Sequence, residues 1–281
     1  MLSRRARIPG EPATKAARWT SRLGVATVAV ALAALTAGCG SGGGAGSSGV
    51  PAPSSSVGTQ IDGAIPADIS HLPVTDQDGR QTDLAAFRGK VLMISDSMTL
   101  CQETCPLDTA NLVQTAHAVD QAHEGADVEF LTITVDPERD TPAQLAAYRR
   151  QYAPTPANWE ALTGTSADVA KLWKYFGVWY QKVPEGSPPA KNWRTGQPLT
   201  YDIDHADEIF FLDSRDNERF VINGAAHVAA GTRLPATMQG FLDSDGLRNL
   251  QQPQDGSWTV SDALQTLGWL LQRTIGPPSG S

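Results

Sequence analysis

Two apolar runs limit the fold of this chain more than any other feature of its sequence. The runs KVLMIS (residues 90–95) and ADVEFLTITVDP (residues 126–137) are almost continuously hydrophobic. Such runs are typical of parallel strands covered on both faces, because a strand with one face in water alternates apolar and polar residues. They therefore predict the middle of a sheet that has helices on both sides.

The segments around these runs predict a single α/β domain. After the first run, apolar residues recur at helical spacing at Leu107, Leu112, Val113, Ala116 and Val119. Further helices are predicted from TPAQLAAYRRQY (141–152), SADVAKLWKYFG (166–177) and SDALQTLGWLLQR (261–273), and two strands from YDIDHADEIFFLDSRDNERFVING (201–224). The order β, α, β, α, β, β, α predicts a mixed central sheet flanked by helices.

Residues 225–258, which we call the insertion, do not fit this scheme. Their sequence is rich in turn-forming residues and predicts an elaborated loop that carries a short helix before the last helix. Nothing in the sequence assigns a role to the insertion.

The N-terminus has the layout of a bacterial secretory signal. Six basic residues and one acidic residue precede the apolar run LGVATVAVALAAL (23–35), which is too short for a stable membrane span. The sequence TAGC then resembles a lipobox, which predicts a lipoprotein-type signal peptide (1–38) and a lipid anchor on Cys39. An ordinary signal peptide, with Cys39 lost or free, is the alternative.

A Gly/Ser/Pro-rich stretch separates this signal from the predicted domain. Residues 39–65 contain almost nothing to bury and predict a flexible tether, and the domain is predicted to span residues 66–275. Removal of residues 1–38 leaves a formal charge near −13. Such a surface repels phosphate backbones, so nucleic acid is not expected as a partner, whereas cationic partners and metal ions are attracted.

Two of the three cysteines, Cys101 and Cys105, lie four residues apart between the first apolar run and its helix. The N-terminus of a helix favours anions, so both thiols are expected to ionise more easily than a free cysteine. Three interpretations remain open. The pair forms a structural disulfide worth roughly 1 to 2 kcal/mol, a redox couple with one residue more than Cys-x-x-Cys, or a thiolate clamp for a soft metal such as Cu(I).

A metal clamp of two thiolates needs a further ligand, and the sequence offers five histidines. His71, His117, His123 and His227 lie in loops or helices with no pattern that indicates ligation. His205 lies where a loop enters an apolar strand, and ligands of α/β sheets bind at such strand ends. By spacing alone, an ordinary core or surface position for His205 is equally consistent.

At these residues the chain resembles the SCO/SenC family of thioredoxin-fold copper chaperones. The resemblance is carried by TLCQETCP (99–106), TVDPERDTPAQLAAY (134–148) and DHADEIFFLD (204–213), in the order and with the separations of the family. It implies a thioredoxin-like fold and one copper ion, Cu(I) or Cu(II), held by Cys101, Cys105 and His205. It also implies that Asp136 and Asp140 support the site without binding the metal.

The resemblance implies a function outside the cytoplasm. Family members assist assembly of the CuA centre of cytochrome c oxidase, so the expected partner is the oxidase subunit that carries CuA, or another copper client. The chain is expected on the outer face of the bacterial cytoplasmic membrane, held by its lipid anchor. The alternative function is an extracytoplasmic thiol-disulfide oxidoreductase of the thioredoxin or peroxiredoxin type that uses Cys101 and Cys105 as its redox pair.

Overall fold

The computed structural model describes residues 49–252 and 257–277. Its strands are β1 (Thr59–Ala64), β2 (Val74–Asp76), β3 (Gln81–Thr82), β4 (Val91–Ser97), β5 (Val128–Thr134), β6 (Trp159–Thr163), β7 (Tyr180–Val183), β8 (Asp202–His205), β9 (Glu208–Leu212) and β10 (Asn217–Asn223). Its α-helices are α1 (Ala67–Ser70), α2 (Cys105–Gln121), α3 (Pro142–Gln151), α4 (Ser166–Phe176), α5 (Ala236–Phe241), α6 (Ser244–Gln251) and α7 (Val260–Leu271), and Leu84–Phe87 form a 3₁₀ helix.

Eight strands form one sheet in the order β1-β10-β9-β4-β5-β6-β2-β3, and β7 pairs with β8 in a separate ribbon. At the centre, β4 runs parallel to β5, and β5 runs parallel to β6. On its other side β4 pairs antiparallel with β9. The predicted α/β fold of thioredoxin-like type, with a mixed central sheet flanked by helices, is therefore confirmed.

The two apolar runs occupy the middle of this sheet, as predicted. Every residue of β4 and β5 is buried. Along β4, Met93 packs into one hydrophobic cluster with α2 and α7, whereas its neighbours Leu92 and Ile94 pack into a second cluster with α1 and α4. Because successive side chains of a strand point to opposite faces, the two clusters lie on opposite faces of the sheet.

Strands lie where the sequence did not predict them at β1, β2, β3, β6 and β7. Strand β1 pairs antiparallel with β10, so the predicted tether 39–65 is wrong for residues 59–64. This edge strand buries little, and its stability comes from backbone pairing that composition does not reveal. Strand β6 was also missed, because its five residues WEALT are too few to show a period of two.

The insertion contains two short helices, α5 and α6, where one was expected. Its two ends meet at an isolated bridge between Ala226 and Trp258, and Trp258 is almost fully buried. The insertion is therefore packed onto the domain and is not a loose loop.

The predicted signal peptide, the start of the tether and Cys39 lie outside the described residues. Among the helices of the described part of the chain, none is both long enough and apolar enough to cross a bilayer.

Candidate metal centre

The connection between β4 and α2 brings Cys101 and Cys105 together. Cys105 is the first residue of α2, and Cys101 lies in the preceding residues 98–104, which we call the cysteine loop. The backbone N–H of Cys105 donates a hydrogen bond to Sγ of Cys101 over 3.3 Å. Both side chains are buried, and their sulfurs are not bonded to each other. The free N–H groups at the start of α2 thus face a sulfur, as expected for a helix N-terminus.

His205 reaches the two cysteines because β9 pairs with β4. The antiparallel register places Ile209 opposite Ser95, so the residues just before β9 lie beside the C-terminal end of β4. His205 ends β8, three residues before β9 begins, and its Nε2 lies 3.4 Å from Sγ of Cys105. The three donor atoms of Cys101, Cys105 and His205 all lie within 4.8 Å of one another.

A buried carboxylate orients the imidazole. Nδ1 of His205 lies 2.7 Å from Oδ2 of Asp96 and 2.7 Å from the backbone oxygen of Ala206. Nδ1 therefore carries the proton and donates it to these acceptors, and Nε2 faces the sulfurs. In known metal sites a carboxylate often holds a ligating histidine in this way.

Asp96 was not among the residues predicted from the sequence. The available signal was an aspartate at the end of the apolar run of β4, since an acidic side chain among buried strand residues requires a partner. The sequence does not show that this partner is His205, which is 109 residues away.

The two thiols differ in acidity. Burial alone would raise the pKa of Cys101, but hydrogen bonds from Cys105 and His205 outweigh burial and lower it well below the usual range. Burial raises the pKa of Cys105 well above its usual range, and the neighbouring negative charge of Cys101 adds to the effect. The expectation that both thiols ionise easily is therefore correct for Cys101 and wrong for Cys105. Hydrogen bonds from Cys105 and His205 stabilise one thiolate, whereas burial and the charge of that thiolate disfavour a second one.

His205 favours its protonated form. Burial on its own would lower the pKa of His205, but its hydrogen bonds to Asp96 and Cys101 and the charge of Asp96 raise it well above the usual value. The Asp96 side chain and the Cys101 sulfur thus both favour a positive charge on the imidazole.

Acidic side chains line the cavity beside the sulfurs. This cavity has a volume of about 340 Å³ and is bordered by Glu103, Asp202 and Asp207, with the half-exposed Trp179 at its edge. Burial and the nearby negative charges of Cys101 and Asp243 raise the pKa of Glu103 to about 7. Burial also raises the pKa of Asp202 and of Asp207 to about 6. A cation in this cavity would relieve the repulsion among these carboxylates.

The two aspartates implied by the resemblance lie behind the cysteine loop. Asp140 is buried and accepts hydrogen bonds from the backbone N–H and the hydroxyl of Thr99 and from the hydroxyl of Thr134. Asp136 forms an ion pair with Arg139 and accepts a hydrogen bond from the hydroxyl of Tyr201 over 2.9 Å. Asp140 thus ties the cysteine loop to the end of β5, and neither side chain belongs to the cluster of donor atoms.

The other histidines lie away from this cluster. His71 is exposed and pairs with Asp83 over 3.0 Å. Within residues 49–252 and 257–277, the cluster of Cys101, Cys105 and His205 is the one group of three or more Cys, His, Asp or Glu side chains with donor atoms close enough to hold an ion.

Comparison with known proteins gives a consistent family. A family model described as SCO1/SenC matches residues 69–230, which is more than half of the chain. A mitochondrial SCO2 homolog of Bos taurus is 30% identical over 137 residues, which are 49% of this chain and 47% of that protein. A SCO1 protein homolog of Bacillus subtilis (strain 168) is 30% identical over 109 residues, which are 39% of this chain and 55% of that protein. The match therefore spans about half the length of these relatives.

Comparison with solved structures gives the following similarities. The structure of Bradyrhizobium japonicum ScoI with copper bound has a TM-score of 0.41 at 25% identity, covering 66% of this chain and 99% of that chain. A SCO1/SenC family lipoprotein from Bacillus anthracis str. Ames has a TM-score of 0.45 at 24% identity, covering 60% of this chain and 89% of that chain.

Proposed function

Because the chain belongs to the SCO1/SenC family, we propose that it is a copper-binding metallochaperone that assists assembly of the CuA site of cytochrome c oxidase. The observation that carries the proposal is the grouping of two cysteine sulfurs and one imidazole nitrogen within 4.8 Å of one another. In this proposal one copper ion, Cu(I) or Cu(II), is the cargo, and Cys101, Cys105 and His205 hold it.

The donor set fits copper on chemical grounds. Thiolate ligands select soft ions such as Cu(I), and imidazole suits copper in either oxidation state. The 4.8 Å limit on the donor separations is about twice a metal–ligand bond length, so one ion reaches all three donors after a small contraction. Asp96 holds the imidazole with Nε2 toward that point.

The surroundings of the cluster favour loading with a cation. The carboxylates of Glu103, Asp202 and Asp207 line the cavity through which an ion would enter. A copper ion would also replace the imidazolium as the positive charge beside the Cys101 thiolate, so binding releases a proton from His205 and leaves the local charge balance favourable.

Export and anchoring are part of the same proposal. The predicted signal peptide and lipidated Cys39 would hold the domain on the outer face of the cytoplasmic membrane, close to its proposed client. Replacement of Cys39 by alanine is expected to move the protein from the membrane fraction to the soluble fraction after cell breakage. An unchanged membrane fraction would reject the lipid anchor.

Copper titration tests the proposed metal site. The purified parent protein is expected to bind one copper ion, and His205→Ala is expected to bind it about 10-fold to 100-fold more weakly in competition with a chromophoric chelator. His71→Ala is the matched control, because it removes an exposed imidazole far from the cluster. If His205→Ala binds copper as tightly as His71→Ala, then His205 is not a ligand.

A second candidate function rests on the low pKa of Cys101. As a thiol-disulfide oxidoreductase, the Cys101 thiolate would attack a substrate disulfide, form a mixed disulfide and release one substrate thiol. Cys105, after losing its proton, would then attack Cys101, which releases the second thiol and leaves a Cys101–Cys105 disulfide. Turnover of a model disulfide by the metal-free protein with an external reductant tests this function, and negligible exchange favours the copper function.

A further inference from the structure

The insertion touches the cysteine loop through the first turn of α6. The backbone N–H of Asp243 donates a hydrogen bond to the backbone oxygen of Gln102 over 3.1 Å. Gly246 packs directly against the same backbone, since a Cβ placed on it would lie 2.2 Å from the oxygen of Gln102 and 3.1 Å from Cα of Glu103. Only a residue without a side chain allows α6 to approach the loop this closely.

A small apolar cluster adds a second contact between the insertion and the loop. Phe241, the last residue of α5, is buried against Leu100 and Leu199, and Trp193 packs at its border. Leu100 directly precedes Cys101 in the chain. The insertion therefore contacts the loop on both sides of Cys101, at Leu100 before it and at Gln102 after it.

The ends of the insertion are fixed to the helix that carries Cys105. The carboxylate of Asp108, one turn after Cys105 in α2, accepts hydrogen bonds from the backbone N–H of Ala226 over 2.7 Å and from the indole N–H of Trp258 over 3.0 Å. The side chain of Asn111 donates to the backbone oxygen of Trp258 over 3.3 Å. Because these partners are buried, their hydrogen bonds hold the insertion to α2 without competition from water.

We propose that the insertion is a brace that sets the position of Cys101 relative to Cys105, with Gly246 as its positioning residue. Its ends are bound to the helix of Cys105, and its helices α5 and α6 hold the loop of Cys101. It therefore connects the two cysteines independently of the three residues of chain between them. The proposal rests on the proposed function, because the positioned groups are the proposed copper ligands.

Gly246→Ala tests the brace. The new methyl group has to displace Gln102 and Glu103, whereas Gly240→Ala adds the same methyl group in α5 of the insertion, where no heavy atom lies within 4 Å. Gly246→Ala is expected to weaken copper binding about 10-fold, at the lower end of the cost of changes just outside a metal's ligands. It is also expected to shift the sulfur-to-copper charge-transfer absorption of the Cu(II) complex, and Gly240→Ala is expected to leave both unchanged.

A metal-free measurement separates this proposal from the proposed function. In Gly246→Ala, backbone amides of residues 99–105 are expected to exchange hydrogen about 10-fold faster, with no change in β5. If the parent binds no copper, the proposed function is wrong. The exchange rates still test whether the insertion holds the cysteine loop. Unchanged exchange in residues 99–105 of a folded Gly246→Ala protein overturns the brace.

A second pair of variants covers a failure of Gly246→Ala to fold. The carboxylate of Asp243 caps α6 by accepting hydrogen bonds from the backbone N–H groups of Asp245 and Gly246, each over 2.8 Å. Asp243→Ala removes this cap without adding bulk and is expected to accelerate exchange in residues 99–105, whereas Asp243→Asn keeps an acceptor and is expected to behave as the parent. Equal exchange in the two variants overturns the brace.

Discussion

The carboxylate of Asp96 holds the imidazole of His205 with Oδ2 of the aspartate 2.7 Å from Nδ1 of the histidine. Both side chains are almost completely buried. The other oxygen of Asp96 accepts the backbone N–H of Glu208 over 2.9 Å, so one carboxylate fixes both the ring and the start of β9. The direction of Nε2 toward the sulfurs is therefore determined by a residue on β4 together with the backbone oxygen of Ala206.

The first prediction concerns Asp96→Asn. An amide has one acceptor oxygen, so either His205 loses one of the two acceptors of its N–H or Glu208 loses the acceptor of its backbone N–H, in a buried place. We expect copper affinity to fall about 10-fold to 100-fold, measured by competition with a chelator. Asp62→Asn is the control, because it removes a negative charge from a highly exposed side chain that does not line the cavity beside the sulfurs. Equal affinities of the two variants would contradict an orienting role of Asp96.

The second prediction concerns the pH dependence of copper binding. The raised pKa values of His205 and Cys105 mean that both groups hold protons in the metal-free protein near neutral pH. Binding has to displace these protons, so affinity is expected to increase with pH, by up to about 10-fold per pH unit for each proton released. Competition titrations between pH 6 and 8 measure this slope. His205→Ala is expected to release one proton fewer on binding, so its copper affinity should increase less steeply with pH. A copper affinity of the parent that does not change with pH would contradict the prediction.

The third prediction is that the two thiols react unequally in the metal-free protein. Because the thiolate is the nucleophile, the lowered pKa of Cys101 favours its alkylation over that of Cys105, whose pKa is raised. Brief treatment with iodoacetamide at pH 6, followed by peptide mass spectrometry, is expected to find the label mainly on Cys101. The unfolded chain in denaturant is the control and should show equal labelling. Preferential labelling of Cys105 would reverse the assignment of the two roles.

The fourth prediction concerns Asp140 and stability. Burial and the charge of Asp136 raise the pKa of Asp140 to about 7, above the value of about 3.9 in an unfolded chain. The native state therefore holds a proton that the unfolded state releases. The stability from this proton is fully present below about pH 4 and is lost as pH rises through about 7, with a slope of at most about 1.4 kcal/mol per pH unit.

Asp140→Asn removes this titration and imitates the protonated form. The free energy of unfolding, measured with urea, is expected to decrease from pH 5 to pH 8. This decrease should be smaller in the variant than in the parent. Asp204→Asn, at an exposed position, should keep the slope of the parent. Parallel pH profiles for Asp140→Asn and the parent would show that Asp140 does not retain the proton.

The centre of the fold could be predicted from the sequence because its signal is local. The runs that form β4 and β5 are mostly apolar, so the sequence itself predicts that both strands are buried. Parallel pairing follows from burial on both faces. The nearness of His205 to the cysteines was implied by the family resemblance, because its position at a strand end was equally consistent with an ordinary core or surface histidine. Strand β1 could not be predicted in this way, since its six residues alternate weakly and owe their position to hydrogen bonds with β10.

The chemistry of the site depended on contacts between distant parts of the chain. Asp96 follows an apolar run and carries no motif, so its partner 109 residues away was not predictable from spacing. The acidity of Cys105 was mispredicted because the helix N-terminus is visible in the sequence, whereas burial and the neighbouring thiolate are not. The insertion showed the same limit, because the sequence does not reveal that Gly246 meets the backbone of Gln102.

The antiparallel pairing of β9 with β4 has a consequence for the newly made protein. A chain synthesised from its N-terminus contains both thiols about a hundred residues before it contains the imidazole. Until β9 has been synthesised and has paired with β4, Cys101 and Cys105 lack the imidazole as a third donor. Completion of the three-donor site therefore requires a strand pair between distant parts of the chain, which carries the entropic cost of closing a long loop.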